Sequence, residues 1–329
     1  MLKDIFNRKI NYLRISVTDR CDLRCKYCMK EKMEFLPKKD VLTFEQIERL
    51  VDIFVSEGVS KIRLTGGEPL VRKNIDKLIN NIGKKIGTYD FKELTLTTNG
   101  TLLKQNAKNL KEYGINRINV SLDTLNPEKY KKLTRFGNLQ NVIEGIECAI
   151  ENNIKIKINV VALKNFNEDE FEEMIIWCGK LGIDVTFIEV MPMGETDEYR
   201  YDQYLPLNKI RNDIIKKFSL QNSHYKTGGP SKYSYFDKYG INVGFITPLS
   251  QNFCQDCNRI RITCTGRLYM CLGQEKYIDF KKYLDKDFSN QKILNLIYES
   301  LKNKPKSHDF IINKEVKPYL SRFMNTTGG

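Results

Sequence analysis

The sequence predicts an α/β fold: a partial, open (β/α)6 barrel of the TIM type, followed by a C-terminal extension. Three features predict it. Short β-rich runs alternate with longer amphipathic stretches from Leu13 to Glu189, the rhythm of repeated strand–helix units around a parallel sheet. Glycines close several of the helical stretches, where a left-handed residue ends a helix. The alternation then breaks after Pro192.

The six predicted strands are Leu13–Val17, Lys61–Thr65, Glu93–Thr97, Arg117–Ser121, Lys155–Val161 and Asp184–Glu189. Between them Phe44–Glu57, Asn74–Lys84, Leu103–Tyr113, Leu139–Asn152 and Glu168–Leu181 carry apolar residues at helical spacing. Gly58, Gly114 and Gly182 each stand between a helical run and the next strand. Six units fall short of the eight that close a full barrel, and in complete barrels the reactive groups lie at the C-terminal ends of the strands. Farther on, Pro206–Phe218 reads as a helix, Tyr233–Phe236 and Ile241–Ile246 as a hairpin turned at Tyr239-Gly240, and Gln291–Lys302 as a last helix. A boundary is placed at 219/220, giving a barrel domain of residues 1–219 and a C-terminal domain of residues 220–329 across the barrel mouth.

A chain of 329 residues, 41% of them hydrophobic, can bury a substantial core. The first thirty residues hold no signal-like apolar run and no stretch is long enough to span a bilayer, so a cytoplasmic protein is expected. Lys plus Arg exceed Asp plus Glu by 54 − 41 = 13. Much of that excess is lysine scattered along helical stretches, such as Lys84-Lys85 and Lys131-Lys132, and reads as solvated surface rather than a nucleic-acid interface. Nine cysteines in two clusters, against two histidines, point to thiolate metal sites rather than disulfides.

Cys21, Cys25 and Cys28 form C-x3-C-x2-C in the loop after the first predicted strand. Three thiolates in so short a loop suit three corners of a cubane cluster and leave one iron open. Structural zinc wants four closed ligands and would need a distant partner. The spacing, with Tyr27 before the last cysteine, resembles the signature of the radical S-adenosylmethionine (SAM) superfamily. That resemblance implies a radical SAM barrel with a [4Fe–4S] cluster whose open iron holds the methionine end of SAM, and electron transfer that cleaves SAM to a 5′-deoxyadenosyl radical. Thr65-Gly66-Gly67-Glu68-Pro69, at the end of the second predicted strand, resembles the GGEP element of the same superfamily. Tyr27, Gly67, Ser121 and Met191 are the SAM contacts so implied.

Cys254, Cys257 and Cys271 form a second trio, C-x2-C-x13-C. Cys264 lies between them and would complete a four-cysteine structural zinc site, the competing reading at this point. Phe253-Cys254-Gln255-Asp256-Cys257-Asn258-Arg259-Ile260-Arg261 resembles the FCxxCNRIR element of the GTP 3′,8-cyclases of molybdenum cofactor biosynthesis. In that family a second [4Fe–4S] cluster leaves an iron open to the guanine of GTP. Cys264 is not part of the matching pattern and, like Cys148 and Cys178, reads as a small buried residue.

A triphosphate brings about four negative charges, which guanidinium groups with paired donors suit. Arg14, Arg63, Lys157, Arg259 and Arg261 stand at strand ends or in the cysteine loop, and each matches a GTP-contacting position of the cyclases, as does Thr97. Phe187–Gly194 resembles their FIExMPMG stretch, and Gly328-Gly329 their twin-glycine tail, which reaches into the active site and is needed for activity. The implied catalytic residues are Arg259, Arg261, Gly328 and Gly329. The resemblance runs from Leu13 to Gly329.

It implies a lyase-type cyclase that takes hydrogen from C3′ of GTP and closes C3′ onto C8, the first step toward molybdenum cofactor. A flavodoxin- or ferredoxin-type electron donor would supply electrons, and the synthase of cyclic pyranopterin monophosphate would take the product. Neither a membrane nor a nucleic acid is expected as a partner, and a homodimer is allowed for. Two rivals stand beside it: another radical SAM enzyme with an auxiliary cluster, acting for example on a peptide, and a non-enzymatic zinc- or nucleic-acid-binding protein.

Overall fold

Six strands, β1 (Tyr12–Ser16), β2 (Lys61–Thr65), β3 (Glu93–Thr98), β4 (Arg117–Ser121), β5 (Lys155–Ala162) and β6 (Asp184–Glu189), pair in sequence order, all parallel. The structure is a computed structural model and describes residues 1–196, 199–284, 288–312 and 320–328. The remaining strands are β7 (Gln221–Asn222), β8 (Lys232–Phe236), β9 (Ile241–Ile246), β10 (Arg259–Ile262), β11 (Arg267–Tyr269) and β12 (Tyr277–Asp279). They prolong the sheet at both edges, in the order β12-β11-β10-β1-β2-β3-β4-β5-β6-β9-β8-β7. Because β9 lies parallel to β6 and β10 parallel to β1, the six strands expected from sequence gain one parallel neighbour at each edge, giving eight among the described residues. The predicted hairpin is present as β8 and β9, but nothing local announces the far side on which β9 pairs. The sheet continues across residue 220 without interruption.

Helices α1 (Phe44–Ser56), α2 (Ile75–Gly83), α3 (Leu103–Glu112), α4 (Pro127–Thr134), α5 (Leu139–Glu151) and α6 (Phe171–Lys180) connect the parallel strands. Later come α7 (Arg200–Gln203), α8 (Leu207–Lys217), α9 (Asn290–Leu301) and α10 (Met324–Thr327). Thr43 opens α1 with a capping box closed by Gln46. Helix α4 was not foreseen, since eight residues carry too little periodicity. Its signal was chemical instead: Asn126 before Pro127 caps it, accepting from the backbone N–H of Glu128 (2.9 Å) and Lys129 (3.0 Å). No helix among the described residues is long and apolar enough to cross a membrane.

The strands alternate. Leu13 and Ile15, Ile62 and Leu64, Ile118 and Val120, Ile156 and Ile158, and Ile260 and Ile262 join one hydrophobic core with the helices. The residues between them, Arg14, Arg63, Asn119, Lys157 and Arg261, face a common cavity. Parallel strands covered on both faces usually read as near-continuous apolar runs, and complete barrels fill their interior with branched apolar side chains. Period-2 alternation here means that the outer face packs into the core, leaving an inner chamber into which the polar strand residues project.

Phe187 of β6 is fully buried, its ring centroid 4.6 Å from that of Phe171 on α6 and 5.8 Å from that of Phe245 on β9. Phe187→Ala is expected to cost about 3–5 kcal/mol, read as a lowered urea-unfolding midpoint. Phe136→Ala, at an exposed ring, should stay within about 0.5 kcal/mol of the unmutated protein.

Candidate active site

The first cysteine trio sits in the loop after β1, and its support comes from three directions. The C-terminal end of α4 receives the loop's backbone, with Arg24 N–H donating to Thr134 O (3.0 Å) and Lys26 N–H to Leu133 O (3.1 Å). Arg135, in a left-handed turn at φ 65°, donates to Arg24 O (2.7 Å). The Gly66-Gly67 turn approaches from the end of β2: Gly67 N–H donates to Thr18 O (2.8 Å), and an added Cβ at Gly67 would overlap the Arg20 carbonyl. The close approach these glycines permit is therefore made first by the loop's own backbone.

Glu68, fully buried, braces the same turn against the end of β3 by accepting from Asn99 N–H (2.7 Å), Leu70 N–H (3.0 Å) and Thr98 Oγ1 (2.9 Å). Burial pushes its carboxyl up to about 7 in spite of those donors. Asn99 in turn reaches Asp22 (2.8 Å) and comes within 3.8 Å of Cys21 Sγ. Tyr27 donates to Asp123 (2.8 Å), whose other oxygen accepts Val161 N–H (2.7 Å). Ser121 is half-buried at the end of β4, opposite Asn159, and is not on the wall of the main cavity described next.

That cavity holds about 1120 Å³ of empty space, part of it continuous with solvent, and runs through the barrel. Arg14, Arg63, Lys157, Met191, Arg259 and Arg261 line it, together with Cys254, Cys257 and Cys271. Strand register explains the cations. Arg261 pairs with Arg14 across β10 and β1, and Arg14 with Arg63 across β1 and β2, so three guanidinium side chains stand in one row on the inner face. Burial lowers Arg14 well below the ordinary arginine range, and the neighbouring Arg261 adds to it. Arg261 falls to about 10, through burial first and Arg259 second. The Nε atoms of Arg14 and Arg63 are buried with no hydrogen-bond partner among the described residues. Thr97, on the same inner face of the sheet in register with Asn119, accepts from Arg63 Nη1 (2.9 Å), so it orients that guanidinium.

The described tail enters the same space. Leu320 pairs with Met193, and Gly194 N–H donates to Leu320 O (2.9 Å). Asn325 Nδ2 donates to Asp19 O (2.8 Å) in the first cysteine loop, and Gly328 O accepts from Arg261 Nη1 (2.7 Å). Gly328 is buried at φ 75°, where an added Cβ would overlap Thr65 Oγ1. Gly329 lies outside the described residues.

Both trios fit an iron–sulfur cluster by their donors. Burial raises all three thiols of the first trio, Cys25 well above the usual range and Cys28 to about 11; metal ligation is what removes such protons from a desolvated thiol. In the second trio burial raises the Cys271 thiol and opposes ionisation of Cys257, yet Arg259 and Lys304 bring Cys257 down to about 7. Among the described residues no three His, Cys, Asp or Glu side chains converge on a point one metal ion could occupy. A cubane takes each thiolate on a different iron and does not ask for that convergence.

A profile of the Radical SAM superfamily matches residues 15–178, and one named Molybdenum Cofactor Synthesis C matches residues 183–310. Curated proteins named GTP 3′,8-cyclase from Brucella canis and Brucella suis are 53% identical over 327 residues, covering 99% of this chain and 95% of theirs. In fold, the chain resembles Streptococcus suis SuiB bound to S-adenosylmethionine, with TM-score 0.57, 18% identity, and coverage of 90% of this chain and 68% of that one. It also resembles native anSMEcpe with AdoMet and a Cp18Cys peptide, at TM-score 0.54 and 16% identity, over 87% of this chain and 83% of that one. An open parallel barrel with a three-cysteine loop after its first strand and this sequence match define a radical SAM protein. Within that class, the chain belongs to the GTP 3′,8-cyclase family.

Several site residues escaped the sequence reading. Tyr12, Asn119 and Asn159 line the cavity beside the predicted cations, and the polar half of the strand alternation was the signal that could have found them. The segment Thr227–Ser231 closes one end of the cavity, where Lys61 Nζ donates to Thr227 O (2.7 Å). Nothing in its local sequence says that it returns to the barrel.

Lys157 is lowered to about 7 by burial and then by Arg63 and Arg117. Burial opposes ionisation of Tyr12, but Arg63, Arg14, Lys61 and Arg117 outweigh it and bring the phenol to about 7. As pH rises through this value Lys157 loses a positive charge and Tyr12 gains a negative one, so both changes weaken anion binding. Calorimetric titration with inorganic tripolyphosphate is expected to show proton uptake on binding, and affinity falling above pH 7 by up to about tenfold per pH unit for each proton taken up. Affinity flat from about pH 6 to 9 would count against a role for these two groups.

Proposed function

We propose that this chain converts GTP to (8S)-3′,8-cyclo-7,8-dihydroguanosine 5′-triphosphate, the first step of molybdenum cofactor biosynthesis. The observation that carries the reading is the in-register row Arg261, Arg14, Arg63 beside buried Lys157, on a cavity that Cys254, Cys257 and Cys271 also line. Buried cations that no carboxylate on the described cavity wall neutralises call for a polyanion, and the second trio, one thiolate short of a closed shell, suits an iron that takes a nucleobase.

Cys21, Cys25 and Cys28 would hold one [4Fe–4S] cluster and Cys254, Cys257 and Cys271 another; the first, with SAM, supplies the radical that removes hydrogen from C3′ of the nucleotide. The remaining work falls to the polypeptide. Arg14, Arg63, Lys157, Arg259 and Arg261 bind and orient the triphosphate, with Thr97 fixing Arg63. Tyr27, Gly67, Ser121 and Met191 would contact SAM, and only Met191 shares the cavity wall with the cations. Arg261 also holds the Gly328 carbonyl, so the tail that joins the first cysteine loop to the cation row would help to exclude bulk water from the reacting atoms. Gly328, with Gly329 after it, and Arg259 and Arg261 are the residues assigned to the reaction itself. A cytoplasmic setting, a flavodoxin- or ferredoxin-type electron donor, delivery of product to the synthase of cyclic pyranopterin monophosphate, and a division of labour between residues 1–219 and 220–329 belong to the same reading, which also admits a homodimer.

Anaerobically reconstituted protein incubated with SAM, dithionite and GTP should yield 5′-deoxyadenosine together with the cyclised nucleotide, and about eight irons per chain. Deoxyadenosine formation that does not respond to GTP would reject the cyclase. Arg261→Ala should lower kcat/KM for GTP by about 10–100-fold, the loss of a charged hydrogen bond, while iron content stays near the unmutated level. Normal turnover in that variant would place the nucleotide elsewhere.

A further inference from the structure

A buried ammonium stands against the second cysteine trio. Lys304 follows α9, is 2% exposed, and brings Nζ to 3.6 Å from Cys257 Sγ. The same nitrogen donates to Arg259 O (2.8 Å) and Met270 O (2.6 Å). Arg259 lies two residues after Cys257, and Met270 immediately precedes Cys271. One side chain therefore ties together both arms of the loop that presents the trio.

Its own position is fixed from the opposite end of the chain. Arg8 donates to Cys254 O (2.7 Å), Pro305 O (2.6 Å) and Lys306 O (3.0 Å), and its Nε is paired with Asp4 at 2.6 Å. Neutral donors would satisfy two backbone carbonyls equally well, and a buried ammonium is costly to desolvate. What a cation adds at this place is compensation for negative charge on sulfur. Donors and positive charge at a ligand thiolate favour the electron-rich state of an iron–sulfur cluster.

We propose that Lys304 is a positioning residue for the second cluster: its ammonium holds the Cys257 thiolate and biases the cluster toward its reduced form, while Arg8 clamps the backbone on either side. The inference rests on reading Cys254, Cys257 and Cys271 as cluster ligands.

The test is an anaerobic redox titration of reconstituted full-length protein, followed by electron paramagnetic resonance, with iron and sulfide counted in each sample. Lys304→Met should keep about eight irons and shift the second cluster's midpoint to more negative potential by at least a tenfold change in the reduction equilibrium, 59 mV for one electron. Lys304→Arg, which restores the charge, should lie within twofold of the unmutated protein, and the SAM-sensitive signal of the first cluster should not move in either variant. Eight irons with an unmoved second midpoint overturns the role of Lys304 alone. About four irons in the unmutated protein overturns the two-cluster reading and this inference with it. Should Lys304→Met fail to retain the second cluster, Lys304→Gln keeps a neutral donor at the site; it must still shift the midpoint in the same direction, and an unshifted value sinks the proposal.

Discussion

Like charges in register on neighbouring parallel strands repel, and Arg261, Arg14 and Arg63 occupy one row across β10, β1 and β2. Cross-strand neighbours of one sign are unfavourable even where water screens them. Here Arg63 and Arg261 are buried, and Lys157 adds a fourth cation from β5. Among the described residues no carboxylate accompanies them on the cavity wall. A fold that keeps such a row relies on its outer face for stability, and the continuous apolar core between sheet and helices supplies it. The inner face is then free to be arranged for a polyanionic ligand.

Two cysteine loops flank this arrangement. One is the loop between β1 and α1, held by the Gly66-Gly67 turn, by Glu68 and by α4. The other is the segment around Cys254–Cys271 that includes β10, tied by Lys304 and Arg8. In both, a cysteine trio is presented by backbone that is hydrogen-bonded to other parts of the chain, so thiolate placement depends on supporting residues far away in sequence. Such supporting contacts commonly matter nearly as much as the ligands themselves. The tail links the first cysteine loop to the cation row through Asn325 and Gly328.

The first half of the architecture was legible because its signals are local. Strand boundaries, helix-ending glycines and the C-x3-C-x2-C loop each occupy a few adjacent residues, and the six strands emerged within a residue or so of their predicted limits. Helix α4 was missed because its length suppresses periodicity, although Asn126-Pro127 marked it. Strands β9 and β10 were harder: β9 was recognised as a hairpin arm, but its second edge pairs with β6, more than fifty residues earlier. Strand β10 lies within the second cysteine motif, where the residues read as ligands and phosphate contacts rather than as a strand.

By itself, the sequence determined the class of fold, the two cysteine trios and the family, because these depend on residue type, spacing and period. Tertiary structure alone decided that Arg261 stands beside Arg14, that Thr97 holds the Arg63 guanidinium, and that Lys304 and Arg8 brace a loop they are remote from in the chain. The reason is physical: spacing along one segment sets which face a side chain takes, but neighbours across a sheet are chosen by register between segments. That register comes from the summed burial of the whole core, to which no single segment holds the key.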